Sequence, residues 1–202
     1  MTREIDGILL AAGESRRMGY PKPLLRIGDE TFLAHTAAIM LEVVERLIIV
    51  LGAYSERIRP AVPRDSRIVV VENPHYERGQ LSSLKAGLSA ASPAASAAIV
   101  HLADHPLVKP ATFEALVAEY RRSGKPITIT RCLGRRGHPV IFARALFDEL
   151  LSAPEDQGAR VVVNADPSRV VYVDVDDAGV TTDLDTPTDL ERVGLPVPPE
   201  GE

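Results

Sequence analysis

The chain has 202 residues, a formal net charge of −5 and 45% hydrophobic residues, which suits one α/β domain of ordinary size and excludes charge-driven nucleic-acid binding, since that needs a basic face. A single cysteine, Cys132, excludes an intrachain disulfide and a cysteine-based zinc cluster. No window reaches the roughly 18–20 apolar residues of a membrane span, and Met1–Gly7 has charges and no signal-peptide core, so a reduced, cytoplasmic setting without a membrane is expected.

Aromatics make up 4% of the chain and tryptophan is absent. The core must therefore come from Val, Leu, Ile and Ala, as in buried parallel sheets. Ile5–Ala11 reads as a buried strand, followed by a Gly- and Arg-rich loop to Ile27. Thr31–Val44 reads as a helix, and Leu47–Leu51 and Arg67–Val71 as strands. Leu81–Ala91 has apolar residues three and four apart, the helical spacing. Ala97–Ala103 is the next strand, and Pro110–Arg121 a helix opened by proline at its first position. Short strands are predicted at Ile127–Thr130 and Val140–Phe142, helices at Arg144–Leu151 and Gly158–Asn164, a late strand at Val170–Val175 and a last helix at Thr186–Val193. The Pro-rich tail from Pro196 is expected to be loose, leaving 1–195 as one domain. Strands alternating with helices predict a Rossmann-like, three-layer αβα fold with a mainly parallel sheet. In such sheets ligands bind beyond the carboxyl ends of the strands. The residues just after each apolar run are therefore the informative ones.

After the first strand come Leu10-Ala11-Ala12-Gly13-Glu14-Ser15-Arg16-Arg17-Met18-Gly19-Tyr20-Pro21-Lys22. Small residues let a ligand approach the backbone, and exposed N–H groups of such a loop hold phosphate oxygens. Arg16 and Lys22 add the fixed positive charge that a triphosphate requires as its leaving group departs. The string is neither a Walker A loop, which needs Gly-Lys-Ser/Thr adjacent, nor a Rossmann GxGxxG. It resembles the phosphate-loop signature of the MobA-like NTP transferase family, which holds the molybdenum cofactor cytidylyltransferases and guanylyltransferases and is related to sugar-phosphate nucleotidylyltransferases. The resemblance implies the nucleotide-diphospho-sugar transferase type of fold. It also implies a loop that wraps the triphosphate through Leu10, Ala11, Ala12, Gly13 and Ser15, with Arg16 and Lys22 stabilising the transition state.

Asp104 follows a strand in His101-Leu102-Ala103-Asp104-His105-Pro106, and Asp185 stands in Thr182-Asp183-Leu184-Asp185-Thr186-Pro187. Mg²⁺ favours oxygen ligands and is usually held by one or two carboxylates plus substrate phosphates. Asp104 alone could simply end a strand. Thr186-Pro187-Thr188-Asp189 reads as a capping box with proline at the first helical position, which explains Thr186 and Asp189 but not Asp185. In the resembling family the aspartates matching Asp104 and Asp185 bind the metal, Mg²⁺ with Mn²⁺ as a substitute; Asp183 is a weaker candidate.

In Asn73-Pro74-His75-Tyr76-Glu77-Arg78-Gly79-Gln80-Leu81-Ser82-Ser83 the glycine suits a sharp turn, and either serine suits a helix start. The resemblance implies that Gly79, Ser82 and Ser83 line the base and ribose pocket. Gly134-Arg135-Arg136-Gly137-His138-Pro139 reads as a glycine-rich turn. The matching Gly137, His138 and Pro139 face the acceptor substrate in the family, and Arg135 and Arg136 are suited to an anionic phosphate.

Ala12 stands where guanylyltransferases tend to carry a second glycine, which favours CTP over GTP, as does the run Asp156–Arg160; His105 departs from the cytidylyltransferase pattern. The resemblance thus implies transfer of CMP from CTP to the terminal phosphate of molybdopterin, with release of pyrophosphate. A molybdoenzyme or its chaperone would be the downstream partner. Guanylyl transfer to the same cofactor, nucleotidylyl transfer to a sugar or alcohol phosphate, and a non-catalytic cofactor chaperone remain open.

Overall fold

A computed structural model describes residues 4–198. In chain order the strands are β1 (Ile5–Ala11), β2 (Arg26–Ile27), β3 (Glu30–Thr31), β4 (Arg46–Leu51), β5 (Ile68–Glu72), β6 (Ala97–Leu102), β7 (Ile127–Cys132), β8 (Arg135–Ala143) and β9 (Val170–Asp174). The α-helices are α1 (Phe32–Leu41), α2 (Ser55–Ile58), α3 (Gln80–Ser89), α4 (Pro110–Ser123), α5 (Phe147–Ser152), α6 (Arg160–Ala165) and α7 (Pro187–Arg192). Seven strands form one sheet in the order β5-β4-β1-β6-β8-β7-β9. β8 runs antiparallel to both its neighbours, β6 and β7, while the other pairs are parallel. The mainly parallel sheet is thus present, and β2 pairs with β3 in a separate small hairpin.

Side chains alternate across a strand, and here both faces are apolar. Ile5, Leu9 and Ala11 of β1 and Leu47, Ile49 and Leu51 of β4 pack in one core with Leu33, Ala37 and Met40 of α1 and Phe113, Leu116 and Tyr120 of α4. Ile8 and Leu10 of β1 and Ile48 and Val50 of β4 pack in a second core with Leu81, Leu84 and Leu88 of α3, Leu150 of α5 and Val162 of α6. Helices on both faces of a parallel sheet make the expected three layers. A third, smaller core joins Met18 and Leu25 of the loop after β1 to Phe32, Leu184 and Leu190. That cluster fixes the loop against the segment that carries Asp185.

Most predicted elements are present, with shifts at their ends. The first helix stops at Leu41, short of the predicted Val44, and begins after Thr31, whose hydroxyl accepts from the Ala34 N–H at 3.1 Å. The predicted helix from Arg144 starts with a 3₁₀ turn and becomes α-helical only at Phe147. The Gly134–Pro139 stretch is not a turn. The chain reverses at Leu133-Gly134, where φ is +49° and +77°, and β8 begins at Arg135. A two-residue loop with positive φ at both positions is the geometry that matches the twist of a hairpin. Gly137 therefore lies within a strand, and its close approach requires glycine: a Cβ there would come within 1.9 Å of the Val180 carbonyl oxygen. Of the predicted loose tail, Pro196–Pro198 carries no regular structure and 199–202 lie outside the described residues, as does the N-terminal stretch 1–3. Among the described residues no helix is long and apolar enough to cross a membrane.

Candidate active site

The parallel strands point their carboxyl ends to one edge of the sheet, and the loops there enclose a cleft of about 380 Å³. Its lining includes Leu10, Ala11, Ala12, Gly13, Ser15 and Lys22 from the first loop, Gly79 and Ser83 from the start of α3, and Asp104 and Asp185. The first loop holds its shape through Ser15, which sits at φ +53°. The Ser15 carbonyl accepts from the N–H groups of Met18 and Gly19, and its hydroxyl accepts from the Lys22 N–H at 3.0 Å. Lys22 is thereby aimed back into the cleft.

The Lys22 ammonium donates to Asp104 Oδ2 and to Asp185 Oδ1, each at 2.6 Å. Burial acts to lower its pKa, but the two carboxylates more than offset this, so the pKa is raised and the charge is secured. Asp185 is positioned by the predicted capping box: Asp189 Oδ2 accepts from the N–H of Thr186 at 2.9 Å and of Asp185 at 3.2 Å. The Leu184 N–H donates to the Asp104 carbonyl at 3.3 Å, tying the two aspartate segments together. Two carboxylates from distant parts of the chain thus converge on one positive charge. That donor set fits a hard divalent cation, which takes one or two carboxylates and completes its shell with phosphate oxygens and water. Among the described residues no group of three or more His, Cys, Asp or Glu side chains is arranged to hold a metal, so the aspartate pair would need substrate oxygens as further ligands.

The expected arginine, Arg16, lines the cleft but reaches only Glu14, at 2.8 Å, with a side chain 79% exposed. Arg17 is the one that enters the aspartate cluster, donating to Asp185 Oδ2 at 2.6 Å. In the sequence Arg16 and Arg17 stand side by side before Met18-Gly19, and only the fold shows which of them meets Asp185.

The two serines divide their tasks. Ser83 lines the cleft. Ser82 is turned inward: its hydroxyl accepts from Asn73 Nδ2 at 2.8 Å and lies within bonding distance of the Gly79 and His75 carbonyls. Asn73 Nδ2 also donates to Ser83, and Asn73 Oδ1 accepts from the His75 N–H at 2.9 Å. This buried knot fixes the loop before α3. The Asn-Pro pair after an apolar strand, a turn signal, was its trace in the sequence. Gly79 has φ +100°, a conformation that favours glycine, and delivers Tyr76, Glu77 and Gln80 to the cleft wall.

A second cavity of about 290 Å³ opens beyond Asp104 and Asp185 and is lined by Arg135, Arg136, Gly137, His138, His105 and Asp183 among others. Pro139 is not part of this lining; it is buried, and its carbonyl accepts from the Thr130 hydroxyl at 2.9 Å. Asp183 is occupied by His105 Nε2 at 2.7 Å, which holds the carboxyl below its ordinary range, and the His105 pKa is raised against its burial by the same contact. Burial and the neighbouring His105 push His138 down to about 4. His101 is fully buried, and burial carries its pKa well below the ordinary value.

Residues 7–170 match the profile of the MobA-like NTP transferase domain. A nicotine blue oxidoreductase of Paenarthrobacter nicotinovorans is 30% identical over 198 residues, covering 94% of this chain and 96% of its own. The molybdenum cofactor cytidylyltransferase of Escherichia coli K12 is 26% identical, covering 92% of this chain and 93% of its own. The crystal structure of Rv0371c from Mycobacterium tuberculosis superposes with a TM-score of 0.82 at 33% identity, over 96% of this chain and 98% of that one. The same protein has also been crystallised as a complex with manganese.

Proposed function

The chain belongs to the MobA-like NTP transferase family, and from that premise we propose that it transfers CMP from CTP to the terminal phosphate of molybdopterin and releases pyrophosphate. The observation that carries this reading is the convergence of Lys22, Asp104 and Asp185 at the mouth of a cleft lined by the first loop. Residues 1–195 act as one catalytic domain.

The backbone of Leu10–Gly13 and the Ser15 loop cradle the triphosphate, and Gly79 and Ser83 border the ribose and base. Ser82 acts one layer back, bonding the Gly79 carbonyl directly and Ser83 through Asn73. Asp104 and Asp185 would hold Mg²⁺, or Mn²⁺ in its place, and the ion would neutralise charge on the triphosphate oxygens. An oxygen of the acceptor phosphate forms a bond to the α-phosphorus as the bond to the bridging oxygen of pyrophosphate breaks. That oxygen is already a nucleophile, so the site needs no general base. Its work is positioning and charge stabilisation by Lys22, Arg17 and, at the rim, Arg16. Gly137 and His138, with Arg135 and Arg136, border the acceptor in the second cavity, and Pro139 supports them from behind.

Ala12 in place of a second glycine, together with the cytidylyltransferase among the relatives, supports CTP. The test is release of pyrophosphate from CTP or GTP in the presence of molybdopterin and Mg²⁺. Preference for CTP is the expected result. Preference for GTP would leave the site intact and change the base, and turnover only with a sugar or alcohol phosphate would change the acceptor. No pyrophosphate with any pair would favour a cofactor chaperone, or an oxidoreductase activity of the kind the Paenarthrobacter relative is named for.

A further inference from the structure

The segment 177–185 lies along 104–112 in the opposite chain direction and is joined to it rung by rung. At the far end the Asp177 carboxylate accepts from the Lys109 N–H at 2.8 Å and from the Thr112 hydroxyl at 2.6 Å. Gly179 then comes so near the facing backbone that a Cβ there would stand 2.4 Å from the Leu107 carbonyl oxygen. His105 Nε2 donates to Asp183 Oδ1 at 2.7 Å, and the Leu184 N–H donates to the Asp104 carbonyl at 3.3 Å. The last two rungs thus stand beside the two aspartates of the reaction centre. His105 directly follows Asp104, and Asp183 precedes Asp185 by two residues.

The two partners of the side-chain rung differ in setting. His105 is buried and fixed from behind: its N–H donates to the Leu102 carbonyl at 3.2 Å, and its own carbonyl lies 3.2 Å from His101 Nε2. The Asp183 side chain is 61% exposed, and an exposed carboxylate adds little to stability through an ion pair. What the contact does is fix a position. Among the described residues no three acidic or histidine side chains are arranged around one metal point, so Asp183 does not join Asp104 and Asp185 as a third ligand. Lys22 bridges those two aspartates directly, but a triphosphate offers its ammonium another partner. Once the ammonium turns, the two carboxylates repel each other until a cation replaces it. The His105–Asp183 contact and the Leu184 backbone bond do not involve Lys22, and the Leu184 side chain is anchored in the third core.

We propose that His105 and Asp183 form a positioning latch, which holds the segments of Asp104 and Asp185 at a fixed span for a divalent cation without touching the ion or the nucleotide. This rests on the two aspartates as metal ligands, but the latch itself can be read without metal. The metal-free readout is hydrogen exchange at the Leu184 amide, followed by nuclear magnetic resonance. Asp183→Ala and His105→Leu should each speed it at least about tenfold and leave the β1 amides unchanged. His105→Gln, whose side-chain amide can donate from the place of Nε2, should restore the wild-type rate. The metal readout is the calorimetric affinity for CTP. With Mn²⁺ the two disrupting variants should bind about tenfold more weakly, the usual effect of losing a contact that orients metal ligands. With the metal chelated they should match wild type, since neither residue lines the nucleotide cleft. The double variant should be no weaker than either single one, because each removes the same contact. If His105→Leu fails to fold, Asp183→Ala, at an exposed position, and His105→Gln decide. Unchanged Leu184 exchange, or faster exchange with unchanged Mn²⁺-dependent affinity, would overturn the latch. So would a loss in Asp183→Ala that His105→Leu does not share, which would make Asp183 a ligand in its own right. Wild type binding CTP equally with and without Mn²⁺ would remove the metal reading, and Leu184 exchange alone would then decide whether the two segments are latched.

Discussion

The Lys22 ammonium lies 2.6 Å from an oxygen of Asp104, and a second 2.6 Å contact joins it to Asp185. A divalent cation held by the same two carboxylates would stand close to this positive charge, and the two would repel. A triphosphate gives the ammonium another partner, so metal and nucleotide should enter together. Lys22→Met is expected to bind free Mn²⁺ at least about tenfold more tightly than wild type in the absence of nucleotide, because a close positive charge has gone. Turnover should fall at the same time. Electron paramagnetic resonance of unbound Mn²⁺ measures the first. Equal Mn²⁺ affinity in the two proteins would argue against Asp104 and Asp185 as ligands.

The neighbouring arginines should separate cleanly. Arg17 touches Asp185, whereas Arg16 pairs with Glu14 at the rim. Arg17→Ala should reduce kcat/KM for the nucleotide by about 10²-fold or more, as expected for a group that stabilises transition-state charge. Arg16→Ala should change it by only about threefold, in line with the small worth of exposed ion pairs. Pyrophosphate release for both variants is the assay, and the opposite ranking would return the catalytic role to Arg16.

Strands β1, β4 and β6 announced themselves as unbroken apolar runs because both of their faces are buried. The first half of β8 did not, since Arg135-Arg136-Gly137-His138 has no apolar period; its strand character comes from pairing with β7. β2 and β3 span two residues each, too short to carry a period. Lys22, Asp104 and Asp185 were legible because each sits in an ordered motif. The division between Ser82 and Ser83 was not, because Asn73 bonds both hydroxyls and only the folded loop shows that Ser82 alone also reaches the His75 and Gly79 carbonyls. The pairing of His105 with Asp183 likewise depends on two loops meeting in space.

Two glycines offer a test of the nucleotide cleft that separates folding from binding. A Cβ on Gly13 would meet nothing within 4 Å. Gly13→Ala should leave the unfolding free energy within about 0.5 kcal/mol of wild type, and should weaken CTP binding only if the triphosphate presses against that backbone. A Cβ on Gly137 would collide with the Val180 carbonyl at 1.9 Å. Gly137→Ala should therefore lower stability by several kcal/mol, on the order of other overpacked positions. Denaturant titration and calorimetry on both variants would check this. Undiminished CTP affinity in Gly13→Ala would move the phosphates away from the loop.

His138 supplies a pH dependence whose sign follows from its surroundings. Burial, then repulsion from His105, takes its pKa from the ordinary 6.5 down to about 4, although Asp104 and Asp183 pull the other way. The unfolded chain accepts a proton below about 6.5 and the folded chain refuses it until about 4. The neutral ring therefore contributes stability that is complete above 6.5 and is lost progressively as the pH falls toward 4. His101 acts in the same direction and His105, with its raised pKa, in the opposite one. His138→Asn removes one of these titrations while keeping a donor near the Val100 carbonyl, which lies 3.4 Å from Nδ1. Between pH 6.5 and 4 the variant should lose stability less steeply, by up to about 1.4 kcal/mol per pH unit for a full proton, while the two curves run parallel at higher pH. Urea unfolding at a series of pH values measures both slopes. Parallel curves across the acid range would show that His138 takes up its proton in the folded chain as readily as in the unfolded one.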